Sequence, residues 1–245
     1  MYMQDYLLFA VAILVCAAFS GIASRKVKNA FTKHNQTRCR SGYTGYEAVS
    51  LLMRLSGVRD VSIGTVRGFL TDHYHPAKSI VNLSESTCRN NSIAAVAVAA
   101  HEMGHVIQKK EGHGFYRLRT ALVPVVNIGS RLSMPLVLAG LLLDWYSLSA
   151  NADLGFRLAM VGVILYGGSL LFALVTLPVE LNASRRAKNM LLSAKILTVE
   201  EMPAAKQVLS AAALTYLASL LTSFVYFLRF LFRVLAMFGR RDHRR

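Results

Sequence analysis

The sequence predicts a mainly α-helical integral membrane protein with about four transmembrane helices and a small β-hairpin or ribbon. Three observations carry this. Hydrophobic residues make up 54% of the 245 and charged residues 17%, against about 25% charged in ordinary soluble domains, and mean hydropathy is +0.40. Several apolar runs approach the roughly 20 residues that a helix needs to cross a bilayer. The net charge of +15 is concentrated between particular runs, as the positive-inside rule requires. A nucleic-acid binder can be equally basic, but the positives follow topology and no recognition module is visible, so no nucleic-acid partner is expected. Three cysteines, an odd number without a CxxC, predict free thiols.

Residues 1–24 read as an N-terminal membrane anchor. Tyr6 to Ser24 is a nearly continuous apolar stretch, followed by Arg25, Lys26 and Lys28. That charge order reverses a signal peptide's and places the next segment inside. Residues 25–131 form a polar domain. Thr44 and Glu47 fit a capping box for a helix that Gly57 ends. Strand-like runs follow at Val58–Ile63, Val66–Leu70 and Ser79–Leu83, punctuated by Gly64, Gly68 and Pro76. Ser92 or Asn91 can cap an alanine-rich helix that continues to about Glu111 and stops at Gly112.

Residues 132–177 read as a transmembrane hairpin. Its first span, Leu132–Leu148, is the weakest. The clean run Leu132–Leu143 reaches only about 18 Å as helix, so the span needs either Trp145 and Tyr146 as interfacial anchors or protein neighbours to shield it. A turn at Asn151–Asp153 leads to the span Phe156–Leu177, which Pro178 is expected to kink or end. Residues 178–206 return to the polar domain, with a helix over Val179–Ser193 and a second capping box at Thr198 and Glu201. Residues 207–238 supply the C-terminal membrane helix, and 239–245 a basic tail. With four spans, residues 25–131 and 179–206 share one face and hold 21 of the 28 Lys and Arg. That face is expected to be cytoplasmic.

The most informative residues are His101-Glu102-Met103-Gly104-His105, an HExxH. His and Glu each occur seven times, so chance produces the motif in fewer than about one such chain in a hundred. On a helix, positions i and i+4 lie about 40° and 6 Å apart, so both imidazoles can reach one ion. Neutral imidazole suits Zn2+, one per chain. Glu102, beside the first His, can take a proton from a water whose pKa zinc lowers to about 7. This is the chemistry of amide hydrolysis. A catalytic zinc needs a third protein ligand. His113 falls eight residues after His105 and past the Gly112 stop. Asp144 and Asp153 flank the turn on the opposite face. Glu180 follows two crossings and returns to the correct face, with Ser184 one turn further on to hold a Glu or a His. Its alternative reading is a first-turn Glu favoured by the helix dipole. Glu200 and Glu201 have capping roles.

The segments Leu70–Pro76, Ser92–His105, Ala121–Asn127 and Leu177–Ala187 together resemble the YugP-type neutral zinc metallopeptidases of bacterial membranes, across residues 1 to about 230. More loosely, the chain resembles HtpX-like and CAAX-type membrane proteases. The resemblance implies a minimal gluzincin core and a zinc-dependent metalloendopeptidase. It implies His101, His105 and Glu180 as metal ligands and Glu102 as the catalytic base. The family pattern has Asp where this chain has Asn182 and His75, which puts supporting roles there in question.

Other residues have competing readings. Asp72, His73 and His75 offer either an electrophilic helper or simple turn chemistry. Arg185 and Arg186 read as a substrate-carboxylate site or as juxtamembrane positives. Ser79–Leu83 reads as a peptide-docking strand or a plain hairpin strand. The expected function is peptide-bond hydrolysis on peptides or membrane-protein segments at the cytoplasmic face of a bacterial cell membrane. Two alternatives are an intramembrane metalloprotease, distinguished by how residues 92–108 are buried, and a non-catalytic scaffold with a vestigial site, which has no need of Glu102.

Overall fold

The computed structural model describes residues 2–146 and 152–238. Asn151 of the expected turn and the tail 239–245 lie outside them, as do the side chains of Trp145 and Tyr146. The order is α1 (Tyr2–Asn35), α2 (Gly45–Leu55), β1 (Ser62–Val66), β2 (His73–His75), β3 (Ile80–Ser84), α3 (Glu85–Cys88), α4 (Ile93–Lys110), α5 (Gly114–Tyr146), α6 (Ala152–Ser193) and α7 (Met202–Phe238). The chain divides into two compact units. One comprises residues 21–117 and 177–216. The other comprises residues 1–20, 118–176 and 217–245.

Among the described residues, four helices are long and apolar enough to cross a membrane: Leu7–Asn35, Gly114–Leu143, Leu154–Ser193 and Met202–Ala236. The protein is a mainly α-helical membrane protein, as expected. Two helices differ from the sequence reading. The short run at Leu132–Leu143 belongs to the 33-residue α5, which has Pro124 and Pro135 inside it. At 1.5 Å per residue α5 is about 50 Å long, so the shortage of length disappears. Pro178 neither ends nor separates a helix: α6 runs through it for 42 residues. Proline removes one intrahelical hydrogen bond, a loss that packed neighbours tolerate in long apolar helices. The residues on either side of Pro178 therefore share one helix.

Within the unit of residues 1–20, 118–176 and 217–245, glycines let helices approach. A Cβ on Gly162 would lie 2.6 Å from the Ser133 carbonyl oxygen, and one on Gly140 would lie 2.5 Å from that of Gly155. Such small residues are how apolar helices gain contact where lipid offers no hydrophobic drive. Val137, Ala159, Val163 and Val234 form its core, while Leu7, Leu14 and Ile164 are exposed.

The other unit is built around α4. Ser92 caps it, its side chain accepting from the Ala95 N–H at 3.0 Å. Gly112 adopts φ +64 beyond its end. Alanines and β-branched residues bury it on nearly every side, against Val49 and Leu52 of α2, Val81 and Leu83 of β3, and Leu191 of α6. The expected capping box on α2 is present: the Thr44 N–H donates to Glu47 at 2.8 Å and the Glu47 N–H donates to Thr44 Oγ1 at 3.2 Å. At Thr198 only half of the expected box forms. The Thr198 N–H donates to Glu201 at 2.8 Å, and Arg40 also donates its N–H to Glu201 at 2.7 Å. The Thr198 hydroxyl makes no return bond.

The sheet has the order β1-β3-β2. β1 pairs parallel with β3 (Ser62 with Ile80) and β2 pairs antiparallel with it (Tyr74 with Val81). The expected strand Val66–Leu70 does not form. Gly68 at φ +112 and Leu70 at φ 55 turn the chain there, and His73–His75 supplies the strand instead. β3 is the central strand with a partner on each edge. The reading of Ser79–Leu83 as a peptide-docking strand is therefore corrected, because its backbone groups already face β1 and β2.

Candidate metal centre

α4 presents His101 and His105 one turn apart, and α6 brings Glu180 to them. Close approach of the two helices depends on Gly104, the fourth residue of the HExxH. A Cβ there would lie 2.7 Å from the Ala183 carbonyl oxygen and 3.1 Å from its Cα, so no side chain fits without moving α6. His101 Nε2 lies 3.1 Å and His105 Nε2 3.4 Å from the same Glu180 oxygen, Oε2. The three ligand-capable atoms all fall within 4.8 Å of one another. Glu180 is 2% exposed and His105 7%.

This donor set fits zinc. Ligands held about 2.1 Å from a tetrahedral zinc stand roughly 3.4 Å apart, close to the two His–Glu separations observed. Two imidazoles and a carboxylate are the set typical of hydrolytic zinc sites with an open fourth position. Outer contacts orient the rings. Ser184 Oγ lies 3.2 Å from His101 Nδ1, and Gln108 Oε1 lies 2.9 Å from His105 Nδ1. The Tyr116 ring stands 6.2 Å, centroid to centroid, from that of His105.

Glu102 is buried, and its carboxyl is pushed up to about 7. Loss of solvent is the leading cause; the nearby carboxylates of Glu180 and Asp72 add to it, while His101 and the Tyr74 backbone N–H pull the other way. The β2 backbone thus comes near enough to the motif to act on this carboxyl. A carboxyl near neutrality can both accept and release a proton.

The remaining predicted residues fall elsewhere. His73 and His75 lie in a strand, not a turn. His73 is engaged on both nitrogens: Nδ1 donates to the Thr71 carbonyl at 2.9 Å, which leaves Nε2 to accept from Asn82 at 3.0 Å. Asp72 accepts from the Ser84 N–H at 2.7 Å and from its hydroxyl at 3.0 Å, pinning the turn before β2 to the end of β3. Arg186 donates from Nε to Asn182 Oδ1 at 2.8 Å and from Nη2 to Glu111 at 2.6 Å, which engages it within the fold. Arg185 is exposed. Three contributors escaped the sequence reading. Gly104 and Gln108 carry their signal only in helical spacing, one inside the motif and one three residues beyond it. The Tyr74 N–H is a backbone group that no side-chain pattern reveals.

Fold and site together define a membrane protein with a largely buried His-His-Glu cluster between an HExxH helix and α6. The chain belongs to the family described as "Putative neutral zinc metallopeptidase", which it matches over residues 8–235. It is 39% identical over 224 residues to the "Putative membrane protease YugP" of Bacillus subtilis (strain 168), covering 91% of this chain and 95% of that protein. No solved structure matches it.

Proposed function

We propose that this protein is a membrane-embedded zinc metalloendopeptidase in which His101, His105 and Glu180 hold one Zn2+ and Glu102 is the general base. The observation that carries the reading is the convergence of both His Nε2 atoms on a single Glu180 oxygen, at 3.1 and 3.4 Å, with Glu102 buried alongside. Bound zinc supplies a Lewis acid that polarises the scissile carbonyl and acidifies water. Glu102 takes the proton from the attacking water and passes it to the leaving amine, a task suited to a carboxyl held near pH 7. Ser184 and Gln108 orient the two imidazoles. β2 is an edge strand beside Glu102, which favours an extended peptide as substrate.

Peptides or unfolded membrane-protein segments are the proposed substrates, reached from the cytoplasmic face, where the positive-inside rule puts residues 25–131 and 179–206. Burial of α4 by protein, and its absence from the four span-length helices, favours this over cleavage within the bilayer. An intact Glu102 favours an enzyme over a scaffold.

The test is metal content by mass spectrometry on detergent-purified protein, with peptide cleavage assayed in parallel. Wild type should carry about one zinc per chain, Glu180→Gln should lose it, and Glu102→Gln should keep it while cleavage falls by roughly 10²–10⁴-fold. Full zinc retention in Glu180→Gln removes the third ligand from the scheme. No zinc in wild type after refilling supports the scaffold.

A further inference from the structure

Gln108 is 0% exposed and sits three residues after His105 on α4. A buried primary amide offers one acceptor and two donors, and which end faces which neighbour decides what each neighbour does. Here the neighbours leave no freedom. The Val179 backbone carbonyl, 2.8 Å from Gln108 Nε2, can only accept. Asn182 Oδ1, 3.0 Å from the same nitrogen, also receives Arg186 Nε at 2.8 Å. A guanidinium can only donate, so Asn182 must turn its oxygen this way. Two obligate constraints from α6 thus hold the Gln108 nitrogen toward α6 and leave Oε1 facing His105 Nδ1 at 2.9 Å. That nitrogen must then carry the hydrogen, and in the neutral ring Nε2 carries the lone pair. Yet Nε2 lies 3.4 Å from a Glu180 carboxylate oxygen, and two lone pairs facing one another repel unless a cation lies between them.

We propose that Gln108 is a positioning residue that locks His105 as the Nδ1–H tautomer and so aims the Nε2 lone pair at the metal position. The lock rests on the zinc site proposed above, and it reaches past Gln108 to Asn182, Arg186 and Glu111. Its outer end is the 2.6 Å ion pair of Arg186 with Glu111. Because both constraints come from α6, the helix that carries Glu180 also sets the tautomer of a ligand on α4. The two helices therefore present their donors in matching states before any ion arrives. Outer partners of this kind typically change metal affinity 10–100-fold.

The experiment uses full-length protein in detergent, labelled with 15N at histidine, metal-free and at pH 8. The His105 resonances are assigned by their loss in His105→Gln. Ring-nitrogen shifts report the tautomer, and competition with a chelator reports zinc affinity. Wild type should show Nδ1–H at His105. Gln108→Met, similar in volume but without an acceptor, should shift the ring toward Nε2–H and weaken zinc about 10–100-fold. Gln108→Glu keeps an acceptor and should keep the Nδ1–H form. The proposal is overturned if wild-type His105 is in the Nε2–H form, or if Gln108→Met leaves both tautomer and affinity unchanged. Should Gln108→Met fail to fold, the wild-type spectrum and Gln108→Glu still decide. Absence of zinc binding in wild type would end the metallopeptidase reading alone, since the metal-free spectrum reports on Gln108 independently.

Discussion

The two compact units differ in how much of their apolar surface goes inside: one has an extended buried core around α4 and the other a core of four residues. In residues 21–117 and 177–216 an extended apolar core forms around α4, and Glu180, Gln108 and Ser84, all nearly or fully buried, sit in defined contacts. In residues 1–20, 118–176 and 217–245 large apolar residues such as Leu7, Leu14 and Ile164 are more than 60% exposed, and cohesion comes from backbone-to-backbone approach at glycines. Water as solvent explains the first pattern, and lipid, as apolar as leucine, explains the second.

The sharpest break of this comparison is a matched pair of truncations. Leu191→Ala, at a position with 0% exposure, should cost about 2–5 kcal/mol. Ile164→Ala, at 66% exposure, should change the melting temperature in detergent little, by within about 0.5 kcal/mol. Equal losses would dissolve the distinction between the units.

Next in size is a gain of stability. A Glu carboxyl raised from 4.5 to about 7 favours folding when protonated. That contribution is complete below pH 4.5 and is lost as pH rises through about 7. Glu102→Gln should therefore stabilise metal-free protein above pH 7, by at most about 3 kcal/mol, with the advantage fading toward pH 4.5. Melting temperatures of the two proteins across pH 4.5–8 measure it, and a constant difference would show that Glu102 does not titrate in that window.

Gly104→Ala should cost about 1–3 kcal/mol by overpacking and weaken zinc binding, because α6 must retreat with Glu180 and Ser184. Gly168→Ala has open space around the added carbon and should do neither. Thermal melts alongside zinc titration separate these outcomes. The smallest effect is expected at a surface cap: Thr44→Ala removes the capping box on α2 and should cost about 1 kcal/mol, read from a denaturant midpoint.

Much of this was legible in order along the chain. Thr44 with Glu47, Ser92, and the glycines at 57 and 112 act through neighbours within four residues, so local spacing reveals them. HExxH is likewise a one-turn motif, and Glu180 followed from counting crossings. The strands were less legible. β1 and β3 pair in parallel across 13 intervening residues, while the edge strand between them in sequence is the polar His73-Tyr74-His75. Strand pairing rewards fit to a partner more than intrinsic preference, and that partner is remote in the chain. Of the two outcomes expected at Pro178, a helix end does not occur, for the same reason: its local cost is real, but neighbours outside its own helix decide whether the helix continues.

By itself the sequence determined that the protein is helical and built for a membrane, and which residues are the candidates for metal chemistry, because composition, apolar run length and i to i+4 spacing are local properties of the chain. Only the tertiary structure decided how those residues meet. It set Gly104 against the Ala183 backbone and turned the Gln108 amide between α4 and α6. It also brought the Tyr74 N–H to Glu102. Each is a contact between segments separated by 28 or more positions, chosen by close packing and by the rule that a buried polar group must find its partner.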